Sequence, residues 1–160
     1  MAFGQLFLLQ LIAHILTDFY FQTGKSTKEK FEKGVKSKYL YWHIIITFAL
    51  SWALSFKVNF VYISAIIAFT HFFIDLAKKP ITTLKPIGAY AFFIDQLLHI
   101  IIIAIAVDWF TRNEILDPVF VFNPKVIHLV LIYLIALKPT NILIREVFRA
   151  YSIKTPEAKD

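Results

Sequence analysis

The sequence predicts an all-α fold: a polytopic membrane helix bundle with four clear spanning helices, a weaker fifth and a C-terminal amphipathic helix. Two observations carry that expectation. Hydrophobic residues make up 58% of the 160-residue chain and aromatic residues 17%, and the mean hydropathy is +0.65, which excludes an ordinary water-soluble domain. The apolar residues also gather into runs of about 20, the length at which a helix crosses a bilayer with its backbone groups satisfied internally.

The first run, Phe3 to Gln22, has no basic segment before it and no small-residue cleavage site after it, so a retained helix is expected rather than a signal peptide. Next comes "GKSTKEKFEKGVKSK", in which Lys25, Lys28, Lys30, Lys33, Lys36 and Lys38 outnumber Glu29 and Glu32. Ser26 and Glu29 have capping-box spacing, which predicts a short helix starting there. The second, third and fourth spans are Tyr39 to Phe56, Phe60 to Ala77 and Tyr90 to Trp109. Tyr39, Tyr41 and Trp42 suit an aromatic belt at a membrane boundary. The fifth run, from Pro124 to Leu137, is short for a crossing and stops at "LKPTN", where Pro139 breaks the helix and Thr140 can cap another. "TNILIREVFRAY" then sets Ile142, Leu143, Val147, Phe148 and Tyr151 against Arg145, Glu146 and Arg149, the pattern of an interfacial amphipathic helix or of a last element packed on the bundle. Residues 1–151 thus form a single transmembrane helical domain, and the tail 152–160, "SIKTPEAKD", is expected to be disordered.

Lysines orient the bundle. The first connection and the third, with Lys78, Lys79 and Lys85, are the basic ones, whereas the second carries only Lys57 and the fourth mixes Arg112 and Lys125 with Asp108, Glu114 and Asp117. The positive-inside rule therefore places both basic connections and the C-terminal tail in the cytoplasm and the N-terminus outside. Topology, together with attraction to anionic lipid headgroups near the Lys25 to Lys38 loop, is the first reading of these lysines, and a substrate-binding role the second. No nucleic-acid partner is expected, and the size of the bundle permits a homo-oligomer.

Ionisable groups inside the spans are the informative departure. "HILTD" holds His14 and Asp18, "HFFID" holds His71 and Asp75, and "DQLLH" holds Asp95 and His99. Each pair is spaced i,i+4, which stacks two side chains on one helix face within reach of a common point. His43 adds a fourth helix. In the assigned topology the pairs lie late in the inward-running spans and early in the outward-running one, so all seven groups share the cytoplasmic half of the membrane. Gln22 and Gln96 border that region. Gln10 continues the His14 face one turn outward, to line a cavity or to contact a neighbouring helix. His128 falls toward the opposite side and is read as an interfacial histidine outside the site.

A charge at membrane depth costs about 2.5–3.5 kcal/mol even on insertion scales, so three carboxylates need partners. A lone His/Asp pair is well explained as hydrogen-bonded packing, but three pairs at one depth plus His43 favour a cation. His14, Asp18, His43, His71, Asp75, Asp95 and His99, with no thiolate among them, are donors suited to a divalent metal, Zn first, with Mn or Fe as alternatives. Seven ligands exceed one tetrahedral ion and suit two, with a carboxylate such as Asp75 or Asp95 between them. Some of the seven can instead orient a ligating imidazole. Without a metal, the same groups would make a proton relay.

The order "HILTDFYFQ", "KSKYLYWHIIIT", "THFFIDLAK", "FFIDQLLHI" resembles the bacterial domain-of-unknown-function family DUF3307, small integral membrane proteins with these His/Asp signatures. The resemblance covers roughly the first two-thirds of the chain and fades after Asp108. It implies a multi-spanning protein of the bacterial cytoplasmic membrane and carries no activity with it. The layout is also similar to predicted membrane-bound metal-dependent hydrolases, an analogy of fold.

The leading functional expectation is a metal-dependent hydrolase at the cytoplasmic leaflet acting on a lipid-linked or phosphate-bearing substrate. The ion lowers the pKa of a bound water, and Asp18 or Asp95 serves as the catalytic base. No nucleophilic Ser or Cys motif and no Gly-rich phosphate loop is present. The alternatives are a metal-ion or proton transporter or channel, and a small adaptor with a structural metal site. Carrier sites tend to lie at the midplane beside helices broken by Gly or Pro, whereas the four main spans hold no Pro and only Gly4 near an end.

Overall fold

A computed structural model describes residues 3–113 and 123–153, and every regular element in them is helical. Helix α1 (Phe3–Ile15) runs into a single π-helical turn, Leu16–Tyr20. A short helix, α2 (Gly24–Lys33), leads through a 3-10 turn to α3 (Lys38–Ser55). Helices α4 (Val61–Thr83) and α5 (Ala91–Asn113) follow, and α6 (Pro124–Leu137) and α7 (Pro139–Ala150) end the described chain. Helix α1 is central and packs on α3, α5 and α6, while α4 lies between α3 and α5. Helix α2 lies across α3 and α4, beside the ends that carry the ionisable pairs.

Three segments are long and apolar enough to cross a membrane: Phe3–Tyr20, Val58–Thr83 and Ile87–Asn113. The α6 and α7 pair, bent by 46° at the break before Pro139, qualifies as a fourth if it is one span. Three to four candidate spans are what the helices give, and α3 is not among them. Helix α3 is the exception, because Lys38 at its start and His43, Thr47, Ser51 and Ser55, which recur every fourth residue, lower its hydropathy. The four recurring residues are buried, so this polarity faces the bundle. Residues such as Trp42, Phe69, Ile105, Leu129 and Ile132 point outward, the apolar surface expected of helices in lipid.

Several boundaries shift. The short basic helix begins at Gly24 rather than at Ser26, because Thr23 is its cap: Thr23 Oγ1 accepts from Ser26 N at 3.2 Å and Ser26 Oγ accepts from Thr23 N at 2.9 Å. Glu29, the residue expected to complete the box, instead pairs with Lys33 at 3.3 Å. Helix α4 continues past Ala77 to Thr83 and includes Pro80 in its last turns, where Thr82 Oγ1 donates to the Lys78 carbonyl. The expected break at Pro139 is present, with proline in the first turn of α7. Glu114, Asp117 and residues 154–160 of the tail lie outside the described residues.

Two apolar clusters hold the bundle. One joins Leu6 to Phe60, Ile63, Ile67, Ile103, Ala106, Val107 and Phe110, away from α2. Phe60 and Phe110 meet edge to face at 4.9 Å within it. The other packs Leu9, Ile12, Ile15 and Phe19 of the first segment against Ile127 and Leu131 of α6. Tyr20 adds a polar tie there, its hydroxyl donating to the Leu134 carbonyl at 2.7 Å.

Candidate metal centre

Each predicted site residue is brought to one place. The π turn is the local feature that shapes it: Phe21 N donates to Leu16 O at 2.9 Å, across five residues. The extra residue turns the chain after Leu16 by about 100° relative to a continuous α-helix. Such turns recur at functional sites, and this one carries Asp18. His14 Nε2 still lies 4.0 Å from Asp18 Oδ2, and His71 Nε2 lies 3.9 Å from Asp75 Oδ2, as the i,i+4 spacing predicts. The third pair is joined differently. His99 Nδ1 meets the Asp95 backbone carbonyl at 2.8 Å, and both side chains remain directed at the cluster.

Four donor atoms from two helices and the π turn form the tightest group. His43 Nε2 and His71 Nε2 are 2.8 Å apart, and each is 3.3 Å from Asp18 Oδ1. Asp75 Oδ2 lies 3.4 Å from His43 Nε2 and 3.9 Å from His71 Nε2. Ligand bonds of about 2.0–2.1 Å in a tetrahedron set donor atoms about 3.3–3.4 Å apart; the three contacts at 3.3–3.4 Å match that edge, whereas His43 and His71, at 2.8 Å, stand at hydrogen-bond distance and would separate around an ion. Three sets of mutually close donors occur among the described residues: His14, Asp18, His71; His43, His71, Asp75; and Asp75, Asp95, His99. Asp75 and His71 are each shared by two of them, and Asp75, as a carboxylate, is the one that can bridge a pair of ions.

Unpartnered atoms point the same way. Asp18 Oδ1, Asp95 Oδ1, His14 Nδ1 and His99 Nε2 are buried with no hydrogen-bond partner. Buried polar groups without partners each cost about 1–3 kcal/mol, so four in one cluster call for an occupant. For His99 the unused atom is the lone-pair nitrogen: its Nδ1 faces a carbonyl, which only accepts, so the proton sits there and Nε2 is bare.

Gln96, which the sequence places only at the border, ties three site residues together. Its amide nitrogen faces Asp95 Oδ2 at 3.1 Å and Asp18 Oδ2 at 3.4 Å, and its oxygen faces His14 Nε2 at 3.2 Å. Carboxylates accept, so the amide orientation is fixed; the oxygen then accepts from His14 Nε2–H, which leaves His14 Nδ1 as the bare nitrogen. Gln22 reaches His43 Nδ1 at 3.5 Å.

Two lysines also enter: Lys78 continues the His71 and Asp75 face of α4 at i+7, whereas no periodicity singles out Lys30. Lys30 of α2 is bonded to Asp75 Oδ2 at 2.6 Å with its side chain 9% exposed, and Lys78 to Asp95 Oδ2 at 2.8 Å. A purely headgroup-facing role for the basic loop is thus corrected for Lys30, while Lys28 and Lys33 do face outward. Gln10 fills both roles open to it. It donates to the Ser51 carbonyl at 3.0 Å and accepts from Ser51 Oγ at 2.7 Å, and it lines a small cavity with His14, Thr47, His71 and His99. His128 is exposed on α6, apart from the site.

Fold and site together define the class: an all-α protein whose apolar, membrane-length helices enclose a cluster of four histidines and three aspartates. The chain belongs to the family described as "Protein of unknown function (DUF3307)", whose family model matches residues 6–125. That match contains all seven site residues and ends before α7. No curated protein and no solved structure matches the chain significantly.

Proposed function

We propose that the protein is a polytopic membrane protein holding a divalent metal, and that it acts as a metal-dependent hydrolase on a lipid-linked or phosphate-bearing substrate at the cytoplasmic face. The observation that carries this reading is the convergence of His14, Asp18, His43, His71, Asp75, Asp95 and His99, with four of their donor atoms buried and bare. Helix α3 crosses with the other long helices because its polar stripe faces the centre, and the basic connections face the cytoplasm by the positive-inside rule. Zn suits the imidazole and carboxylate donors best, with Mn or Fe as alternatives.

A bound ion of this kind supplies an acidified water and neutralises charge on the substrate oxygen. The chain supplies the rest. Asp95 keeps Oδ1 free of hydrogen bonds and can take a proton, and Asp18 can do so where its Oδ1 is not holding the ion. Gln96 holds both carboxylates and the His14 ring in register.

A carrier for metal ions or protons is the second reading, favoured by the polar run His14, Gln10, Ser51 and Ser64, the last two joined at 3.1 Å. Against it, that run ends at Leu6, Phe60, Ile63, Val107 and Phe110, all at most 2% exposed. A centre closed on one side suits a fixed site better than alternating access.

The test is metal content by plasma mass spectrometry on detergent-purified protein, wild type against a His71→Ala/Asp75→Ala double variant of equal monodispersity. Near-stoichiometric Zn, Mn or Fe in the wild type, lost in the variant, is the expected result. Failure of both to bind any divalent ion after reconstitution sinks the reading. Hydrolysis of phospholipid and lipid-phosphate substrates that disappears in Asp95→Asn then separates an enzyme from a structural metal site.

A further inference from the structure

We infer that Lys30 and Lys78 are the phosphate-binding pair of this centre, so that the group it recognises is a phosphate ester or phosphate itself. The inference rests on the metal-centre reading above and adds its ligand. Both ammonium groups lie at the α2 side of the cluster, and they arrive from different elements: Lys30 from α2 and Lys78 from the end of α4. Each touches a different carboxylate of the Asp75, Asp95, His99 set, at 2.6 and 2.8 Å. Lys78 also lies over the Phe92 ring at 5.7 Å, and Lys79 ties α4 to the Glu32 carbonyl of α2, so the two elements meet beside this pair.

Charge balance identifies what the pair binds. Asp18, Asp75 and Asp95 against Lys30 and Lys78 leave a single negative charge when the imidazoles are neutral. One divalent ion turns that into a net positive charge, and a second makes the surplus three. A positive surplus is costly in a site screened by apolar helices; a hydroxide from the water of a single ion would balance the first surplus, and with two ions a further anion is needed. Were the lysines needed only to neutralise the carboxylates, metal binding would make them redundant, and two buried or half-buried ammonium groups would then lie beside a cation. Each ammonium also has three donors, of which one is used on a carboxylate among the described residues. Phosphate oxygens match the remaining donors, and lysine is a regular phosphate partner acting as a point charge. A carboxylate ligand would leave more donors unmet.

The experiment measures metal content and phosphate binding on the same samples. The purified, metal-loaded full chain in nanodiscs is titrated with inorganic phosphate and, in a separate arm, with dioctanoyl phosphatidic acid, using calorimetry and phosphorus NMR line broadening. Wild type is compared with Lys30→Gln, Lys78→Gln, the charge-keeping Lys30→Arg and the exposed control Lys33→Gln. The expected result is unchanged metal stoichiometry throughout, with phosphate affinity lowered about tenfold or more in each of the two Gln variants, as loss of a charge-assisted hydrogen bond implies. Lys30→Arg and Lys33→Gln stay within a few-fold of wild type. Binding of both ligands equally identifies the phosphate group alone as the recognised element; binding of phosphatidic acid only assigns the site to lipid headgroups. Metal-loaded protein that binds neither ligand, or binds them unchanged after Lys30→Gln and Lys78→Gln, overturns the inference while leaving the metal centre intact. Protein that holds no metal overturns both.

Discussion

Replacing Gln96 by Leu removes a side chain of similar bulk from the first-order ligand question altogether, since Gln96 itself donates no metal ligand. Three contacts vanish: those to His14 at 3.2 Å, Asp95 at 3.1 Å and Asp18 at 3.4 Å. In the metal-free protein each loss leaves a buried polar group short of a partner, at about 1–3 kcal/mol per group, though the carboxylates keep His and Lys neighbours that soften it. In the loaded protein the effect falls on metal affinity, because the His14 tautomer and the Asp18 and Asp95 orientations lose their common anchor. Outer-sphere partners of this kind are worth about 10–100-fold in affinity, which is about 1.4–2.7 kcal/mol. The converse substitution sharpens the test. Gln96→Glu sets a further carboxylate about 3 Å from two others, a repulsion of about 5 kcal/mol per pair before protonation relieves it. Metal-free Gln96→Glu protein is therefore destabilised, and divalent metal restores more of its stability than it adds to wild type. Competitive titration with a chelating dye, alongside thermal melts with and without metal, reads both quantities. Gln96→Leu affinity within twofold of wild type, or a Gln96→Glu protein indifferent to metal, would refute the reasoning.

Other substitutions separate the centre from its scaffold. Phe110→Ala, in the sealed cluster far from α2, costs about 3–5 kcal/mol of stability yet leaves metal stoichiometry intact, as thermal melts and mass spectrometry on the same sample will report. Thr23→Ala removes the α2 cap, worth about 1 kcal/mol, and limited proteolysis within residues 22–38 should quicken about fivefold. Acidification must weaken metal binding, because protons compete for the four imidazoles; a chelator titration across falling pH that shows constant affinity excludes histidine ligation. The chain has no cysteine, so Lys33→Cys and the well-exposed Val58→Cys can be labelled singly, and an impermeant maleimide applied from outside should reach Val58→Cys only.

Helical periodicity made most of this legible, and its limits are physical. The i,i+4 pairs name their own faces, because one helix fixes both side chains, and seven site residues could be read from four motifs. The π turn at Leu16–Tyr20 could not be read, since no residue type in "LTDFY" demands it; Asp18 reaches His43 and His71 through packing of the finished bundle. Lys30 was hidden for a related reason. Six lysines in one connection are equivalent in sequence, and only the placement of α2 over α3 and α4 selects the one that turns inward. The cap was misplaced by one turn because Thr23 and Ser26 satisfy each other's backbone, a pairing that precedes the Ser26 and Glu29 spacing and starts the helix earlier.

Helix α3 falls short as an apolar span for the same reason that it serves the centre. His43, Thr47, Ser51 and Ser55 form one stripe, and each has an internal use: His43 meets His71, Thr47 donates to the His43 carbonyl, Ser51 engages Gln10 and Ser64, and Ser55 donates to the Trp52 carbonyl. A hydropathy average counts these groups as a cost of insertion, whereas in the bundle they are hydrogen-bonded and shielded from lipid. Their order matters as well. The ionisable group stands at the α2 end, neutral hydroxyls and an amide follow, and the Leu6, Phe60, Val107 and Phe110 cluster closes the far side. Polarity thus declines stepwise from the α2 end inward, with the carboxylates paired to Lys30 and Lys78 at that end and an apolar cluster at the other.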